Sequence, residues 1–239
     1  MENVSRTLYI PLYGKALVSR LGLLLRDPDA EKLWDAAGIS LKGKSASKWL
    51  AYTMGMRSAV FDNWLRGSLT EDAVVLHLGC GLDSRCRRVN CPNVWYDVDF
   101  PAVMEERRKY FAESDTYHMI GADLRENWLA SIPSGGTAIV VMEGVSMYLK
   151  PEELKTVLDN LCSRFARVQI LMDCYTEFAA KASRYKNPIN DVGVTQVYGL
   201  DDPMELTGGN LRFCKAHEMT PADLTDQLRG MEKMIFRKL

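Results

Sequence analysis

The 239-residue chain is long enough for one domain with a substantial core, and its composition, 47% hydrophobic and 26% charged, is typical of a globular protein. Its 30 basic and 31 acidic side chains almost cancel, which excludes a global field that favours nucleic acid or an anionic membrane. Six cysteines without a CxxC pair, beside only three histidines, argue against a metal site and suit a reducing, cytoplasmic compartment. The run Leu21–Leu25 is too short to span a membrane, and the N-terminal residues show no signal-peptide pattern.

The first part of the chain is predicted to be helical. Apolar residues recur at helical spacing over residues 5–66, with a break at Asp27-Pro28-Asp29. A longer helix is predicted over Ser45–Leu65, and we interpret its stripe of large apolar residues as core. Arg57 lies at the edge of this stripe, where spacing alone favours a solvated or paired side chain.

From residue 72 the pattern alternates between strands and helices. Strands are predicted at 73–78, 94–98, 117–121, 137–142 and 167–173, and helices near 101–113, 125–130 and 151–165. Near-continuous apolar strands are typical of parallel sheets that are buried on both faces. The pattern therefore predicts an α/β fold, a Rossmann-like, doubly wound and mostly parallel sheet.

A glycine turn follows the first predicted strand. The residues Gly79-Cys80-Gly81-Leu82-Asp83-Ser84, here called the glycine turn, carry the first two glycines of GxGxxG but have Ser84 in the third place. Asp97 and Asp99 end the second strand, where an acid can accept hydrogen bonds from a ribose. The missing third glycine argues against a pyrophosphate and favours S-adenosylmethionine. A purely structural turn and a nicotinamide-dependent oxidoreductase remain alternatives.

Beyond the fifth strand the periodicity weakens. Residues 176–208 are predicted to form a lid or a substrate wall, and Tyr175, Tyr185 and Tyr198 give this part an aromatic character that is also common without a ligand. A strand is expected at 210–216 and a helix from about 221. The last residues, 232–239, are expected either to supply a closing strand or to continue a helix.

Four segments together resemble the leucine carboxyl methyltransferase family: LHLGCGLDSRCRR (76–88), YDVDFP (96–101), GADL (121–124) and MEGVSMYL (142–149). That family includes the enzyme that methylates the C-terminal leucine of protein phosphatase catalytic subunits and the polyketide-biosynthesis O-methyltransferases. The resemblance covers about residues 5–175. It implies a class I S-adenosylmethionine-dependent methyltransferase with added N-terminal helices and a variable substrate cap.

The resemblance also implies a division of the single domain. It consists of an N-terminal helical extension (1–70), a cofactor-binding core (71–175), a lid or substrate loop (176–208) and the C-terminal part of the core (209–239).

Roles in binding S-adenosylmethionine follow from the same resemblance. Gly79 and Gly81 are expected under the methionine and ribose portions, and Asp99 is expected on the ribose hydroxyls, with Asp97 as the second choice. Asp123 is expected to accept from the adenine amino group, while the Leu124 backbone contacts the ring edge.

At the amino-acid end of the cofactor, Glu143 is expected to face the ammonium group. Arg57 is expected to pair with the carboxylate, for which the arginine fork is better suited than lysine. Lys15 matches another family position loosely. Asp83 and Arg85 are interpreted as residues that order the turn.

The predicted reaction is O-methylation of a carboxylate or hydroxyl on a small hydrophobic metabolite or a peptide C-terminus. An ionised carboxylate needs no general base, whereas a phenol would need one, and His118, His217 and Tyr148 are candidates for that role. No catalytic residue is assigned and no oligomeric state is predicted. An NAD(P)-dependent oxidoreductase and a non-catalytic S-adenosylmethionine-binding protein are the alternatives.

Overall fold

The structure, a computed structural model, describes residues 8–186 and 196–238, with the backbone alone for residues 184–186. Three packed helices come first among the described residues: α1 (Tyr9–Arg20), α2 (Pro28–Ala37) and α3 (Lys48–Ser68). The predicted break before α2 is confirmed, because the Asp27 side chain caps this helix and Pro28 opens it. The remaining predicted helical residues, 5–7, lie outside the described residues.

The centre of the fold is a five-stranded parallel sheet. Its strands are β1 (Ala73–Leu78), β2 (Trp95–Asp99), β3 (Tyr117–Gly121), β4 (Thr137–Met142) and β5 (Arg167–Met172). The spatial order is β3-β2-β1-β4-β5. The predicted Rossmann-like α/β fold is therefore confirmed. The order reverses between β1 and β4, and a crevice forms beyond the carboxyl ends of the strands at such a point.

Helices connect the strands and cover the sheet. They are α4 (Arg85–Val89), α5 (Pro101–Arg107) and α6 (Pro151–Arg164), with 3-10 turns at Trp128–Ser131 and Ser146–Tyr148. A further 3-10 turn, Gly43–Ala46, lies between α2 and α3. The start of α6 is fixed by Glu153, whose carboxylate accepts from the Lys150 N–H at 2.9 Å. Helix α5 ends at Arg107, earlier than predicted, and this arginine turns inward to donate to the Gly81 carbonyl at 2.9 Å.

The residues after β5 form helices α7 (Glu177–Lys186), α8 (Ala222–Thr225) and α9 (Gly230–Phe236), with a 3-10 turn at Pro203–Leu206. The helix expected from about 221 is confirmed. The strand expected at 210–216 is wrong, because only an isolated bridge joins Gly208 to Leu211 around a turn.

Of the two alternatives for the last residues, the described part of 232–239 continues a helix, α9. The ring of Phe236 packs against those of Trp49 and Tyr52 on α3, so this helix adds to the N-terminal layer and not to the sheet. Across the described residues, no helix combines the length and hydropathy needed to cross a membrane.

Candidate active site

A cavity of about 390 Å³ opens beyond the carboxyl ends of the strands. This volume is typical of ligand pockets, about 300–1,000 Å³. All the predicted cofactor-binding residues line it: Arg57, Gly79, Gly81, Asp99, Asp123, Leu124 and Glu143. The structure thus brings together residues from α3 and from the ends of four strands, while their contacts with a cofactor stay a prediction.

The glycine turn forms the floor of the cavity. Gly79 has φ +66°, and a Cβ at this position would lie 2.2 Å from Cγ2 of Val145, so only glycine fits. The Gly81 N–H donates to Oδ2 of Asp99 at 2.8 Å, and the Phe100 N–H donates to Oδ1 at 2.8 Å. Burial raises the pKa of Asp99, although these two bonds oppose the shift. The turn therefore fixes a carboxylate at the tip of β2.

Asp97, the second choice for the ribose, lies beneath the cavity and does not line it. Its carboxylate accepts from Arg107, from the Tyr117 hydroxyl at 2.6 Å and from the Trp95 indole at 2.8 Å. Burial alone would raise the pKa of Asp97, but Arg107 and the bond from His77 lower it to about 2. Asp97, on β2, is thus engaged in a buried ion pair with Arg107.

Glu143, the first residue after β4, lies at the opposite end of the cavity from Asp123. Its Oε1 accepts from Arg57 Nε at 2.9 Å and from the Ser58 hydroxyl at 2.9 Å, and its Oε2 accepts from Arg85. Burial favours the neutral acid, yet the two guanidinium groups overcome it and hold the pKa of Glu143 far below its usual range. Glu143 is therefore an ionised carboxylate at neutral pH.

Lys15 and Asp83 form a buried ion pair at the cavity wall, with 3.1 Å between Nζ and Oδ2. Asp83 also accepts from Arg88 at 3.0 Å. Arg85 is fully buried and donates from Nε to Asp62 at 2.7 Å. These contacts tie the glycine turn to α1 and α3, as expected for residues that order the turn.

At the other end of the cavity, Asp123 follows β3. Its Oδ1 accepts from the backbone N–H and from Nε of Arg125, both at 2.9 Å. The hydrogen bond from the Arg125 side chain is the main cause of a lowered pKa for Asp123. Leu124 is buried beside it and supplies an apolar surface.

Part of the remaining cavity surface, here called the apolar wall, consists of six large apolar and aromatic side chains from several elements. Its members are Leu8, Leu50, Met54, Met147, Tyr148 and Tyr175. Burial raises the pKa of Tyr148 to about 12, although its side chain remains partly exposed.

Other candidates from the sequence lie elsewhere. Tyr198 lines a separate small hollow, His118 stacks on the Tyr96 ring on β2, and His217 is not among the residues that line the cavity. The side chain of Tyr185 lies outside the described residues. Of the residues proposed to assist a phenolic acceptor, only Tyr148 reaches this cavity.

Sequence reasoning missed two residues at this site, His77 and Asp173. His77 lines the cavity floor between Asp97 and Arg85, at 3.2 Å from each. Asp173 follows β5 directly and accepts from Arg57 Nη1 at 3.1 Å. The signal for Asp173 was present, because it occupies the same place after β5 that Glu143 occupies after β4.

The residues fit S-adenosylmethionine. Gly79 and Gly81 leave a floor without side chains, where a ligand can lie directly on the backbone. At the tip of β2, the Asp99 carboxylate, which has backbone N–H partners, can accept hydrogen bonds from hydroxyl groups. A guanidinium and a carboxylate, Arg57 and Glu143, are available for the two charged groups of an amino acid. Within the described residues, no group of His, Cys, Asp and Glu side chains is arranged to hold a metal ion.

Comparisons with known proteins show which family this chain is similar to. The profile of the family described as Leucine carboxyl methyltransferase matches residues 7–162. The tetracenomycin polyketide synthesis O-methyltransferase TcmP of Streptomyces glaucescens is 31% identical over 98% of this chain and 90% of its own. A Mycobacterium tuberculosis protein named as an S-adenosyl-L-methionine-dependent methyltransferase is 26% identical over 81% of this chain and 73% of its own. Magnesium protoporphyrin IX methyltransferase from Synechocystis, solved with bound SAH, has a TM-score of 0.44 and 14% identity over 71% of this chain and 76% of its own.

Proposed function

This chain belongs to the leucine carboxyl methyltransferase family, and we propose that it transfers a methyl group from S-adenosylmethionine to a carboxylate oxygen of a small hydrophobic acceptor. It is an S-adenosylmethionine-dependent methyltransferase, and the oxidoreductase alternative is not favoured. The observation that carries the proposal is one cavity that joins the predicted cofactor residues to an apolar wall, whose described members include no Asp, Glu or His side chain to act as a general base.

Asp99 is assigned to the ribose, and several of the other titratable groups around the cavity are poor bases. Glu143 and Asp123 have lowered pKa values, and burial raises the pKa of Tyr148, which is protonated at neutral pH in any case, to about 12. His77 lies between Asp97 and Arg85, so both ring nitrogens have partners. Because a carboxylate with a pKa near 4 is already ionised, a site of this kind suits a carboxylate acceptor best.

The cofactor, when bound, supplies an electrophilic methyl group on a positively charged sulfur. We assign Asp99 to the ribose hydroxyls, Asp123 and the Leu124 backbone to the adenine, and Arg57 with Glu143 to the amino-acid end. The apolar wall would hold the acceptor and exclude water from its oxygen. Orientation of two reactants in this way lowers a barrier by about 7–11 kcal/mol.

A hydroxyl acceptor is the second candidate, and one observation favours it. Each cation that lines the cavity already has a carboxylate partner: Lys15 pairs with Asp83, Arg57 with Glu143 and Asp173, and Arg125 with Asp123. Within the described residues, the cavity therefore offers no unpaired cation to hold a second carboxylate.

The test uses methyl-labelled cofactor and a panel of hydrophobic carboxylic acids, matched phenols and a peptide that ends in leucine. We expect label in the carboxylic acids and its release as methanol by mild base, because esters hydrolyse and ethers do not. A base-stable product on the phenols would support the hydroxyl candidate and refute the carboxylate one. Preferential labelling of the peptide would show that the acceptor is a protein C-terminus and would refute the proposal of a small acceptor.

We also propose that the protein works in the cytoplasm and acts on no nucleic acid. All six cysteines are free, which suits a reducing compartment, and the net charge of −1 gives no general attraction to nucleic acid. Cell fractionation and labelling of total nucleic acid with methyl-labelled cofactor test these two statements.

A further inference from the structure

Asp173 holds two cavity elements at once. Its Oδ2 accepts from Arg57 Nη1 at 3.1 Å, and its Oδ1 accepts from the Gly144 N–H at 2.6 Å. Its backbone carbonyl accepts from the Ser146 hydroxyl. The side chain is only 11% exposed. One carboxylate at the end of β5 thus links α3 to the segment that follows β4.

These contacts leave one edge of the Arg57 guanidinium for a ligand. Nε donates to Glu143 and Nη1 donates to Asp173, whereas Nη2 has no hydrogen-bond partner among the described residues. Nη2 lies against the backbone of Gly144, since a Cβ on that glycine would lie 3.1 Å from it. Because Glu143 and Asp173 engage two different nitrogens, the planar group cannot rotate.

We propose that Asp173 is a positioning residue for the cofactor: it sets the orientation of Arg57 and of the Gly144 backbone so that Nη2 is presented to the carboxylate of S-adenosylmethionine. The inference rests on the role of Arg57 in the proposed function. Asp173 itself does not line the cavity and acts through Arg57.

The charge of Asp173 has an opposing effect, since an anion beside Arg57 repels the cofactor carboxylate. Orientation is the larger effect, because the carboxylate oxygens of Asp173 both accept from fixed donors and asparagine cannot reproduce this. One oxygen of the side chain would become an NH2 group, which places two donors against each other at Gly144 or at Arg57.

The experiment measures the affinity for S-adenosylhomocysteine by calorimetry in a double-mutant cycle of Asp173→Asn with Arg57→Lys. We expect Asp173→Asn to weaken binding about tenfold in the wild-type background, as for loss of one hydrogen bond to a charged group. In the Arg57→Lys background we expect Asp173→Asn to change the affinity for S-adenosylhomocysteine by less than about twofold, which is within the error of additivity. The matched control is Asp201→Asn, which removes a carboxylate that bonds the Glu177 N–H and has no contact with Arg57.

Unchanged or tighter binding by Asp173→Asn, while Arg57→Lys binds weakly, would overturn the inference and leave the role of Arg57 intact. An equal loss in both backgrounds would also overturn it, because Asp173 would then act independently of Arg57. If Arg57→Lys binds as the wild type does, the assignment of Arg57 in the proposed function fails as well. Should Asp173→Asn not fold, Asp173→Glu enters the same cycle with the same criteria, because it keeps the charge and displaces both oxygens.

Discussion

The two walls of the cavity are built in different ways. One wall, here called the polar wall, consists of the glycine turn, Asp99, Arg57 and Glu143. Each of these is held by several hydrogen bonds, many of them from buried partners. The apolar wall receives one or two side chains from each of several elements. A change in the polar wall therefore disturbs its neighbours, whereas a change in the apolar wall alters mainly the shape of the cavity.

The difference indicates how one fold can serve different acceptors. Buried charges tolerate little displacement, because breaking one member of a pair leaves the other uncompensated. Substitution of one apolar side chain by another of similar volume costs less stability. In the proposed function, the polar wall has a task that requires fixed geometry, holding the cofactor, and the apolar wall has an adaptable one, holding the acceptor. The four predictions below test this separation.

The largest effect is expected beneath the polar wall. Arg107 is fully buried and bonds Asp97 and the Gly81 carbonyl, so Arg107→Met leaves the buried Asp97 carboxylate without its arginine partner. We expect the free energy of unfolding to fall by about 3–5 kcal/mol, as measured by urea denaturation. The neighbouring, exposed Arg108 is the control, and Arg108→Met should cost less than about 1 kcal/mol. Equal effects of the two variants would contradict the importance of the buried pair.

A somewhat smaller effect is expected at the cavity floor. Gly79 and Gly22 share φ +66°, but nothing lies within 4 Å of a Cβ on Gly22, whereas Val145 blocks one on Gly79. Gly22→Ala should cost about 1–2 kcal/mol from the backbone alone. Gly79→Ala should cost about 2–4 kcal/mol by adding a steric clash. Thermal denaturation of both variants measures the difference in their loss of stability. The double variant Gly79→Ala with Val145→Ala should recover part of the stability lost by Gly79→Ala.

Asp99→Ala tests the polar wall through ligand binding. We expect the affinity for S-adenosylhomocysteine to fall by about 2–3 kcal/mol, as for loss of charge-assisted bonds to the ribose. Binding to the wild type should also weaken as the pH falls through the pKa of Asp99, which burial raises above 3.8, because a protonated carboxyl accepts fewer hydrogen bonds. Calorimetry across pH measures both effects. Asp159→Ala, on the exposed face of α6, is the control, and an unchanged affinity for Asp99→Ala would show that another group binds the ribose.

The sequence predicted the sheet and the polar wall well. Three strands, β1, β3 and β4, have the predicted bounds, because near-continuous apolar runs end at clear turn signals. Gly79 and Asp99 could be chosen because a positive φ and a strand-end carboxylate both leave a local signature. Asp173 carried the same signature after β5 but had no matching motif in the resemblance.

The parts of the fold and of the site that the sequence did not predict depend on long-range contacts, which sequence periodicity does not encode. The expected strand at 210–216 is absent because this segment has no neighbouring strand to pair with, and Gly208 and Gly209 favour a turn. His77 was overlooked because a histidine within an apolar strand gives no sign of its partners. Leu8 and Leu50 join the apolar wall only because α1 and α3 pack beside the sheet.

The smallest effect is expected for Tyr148→Phe in the apolar wall. A tyrosine hydroxyl is protonated at neutral pH even at its ordinary pKa of about 10, and burial raises the pKa of Tyr148 to about 12, so this side chain is a poor general base. We expect kcat to be unchanged, whereas loss of a catalytic base would lower it by about 100-fold or more. Tyr148→Ala, which removes the ring, should raise the acceptor KM about tenfold and leave the affinity for S-adenosylhomocysteine unaltered. Tyr198→Ala, outside this cavity, is the control. If Tyr148→Phe abolished turnover, the apolar wall would hold a catalytic group, and the separation between the two walls would not exist.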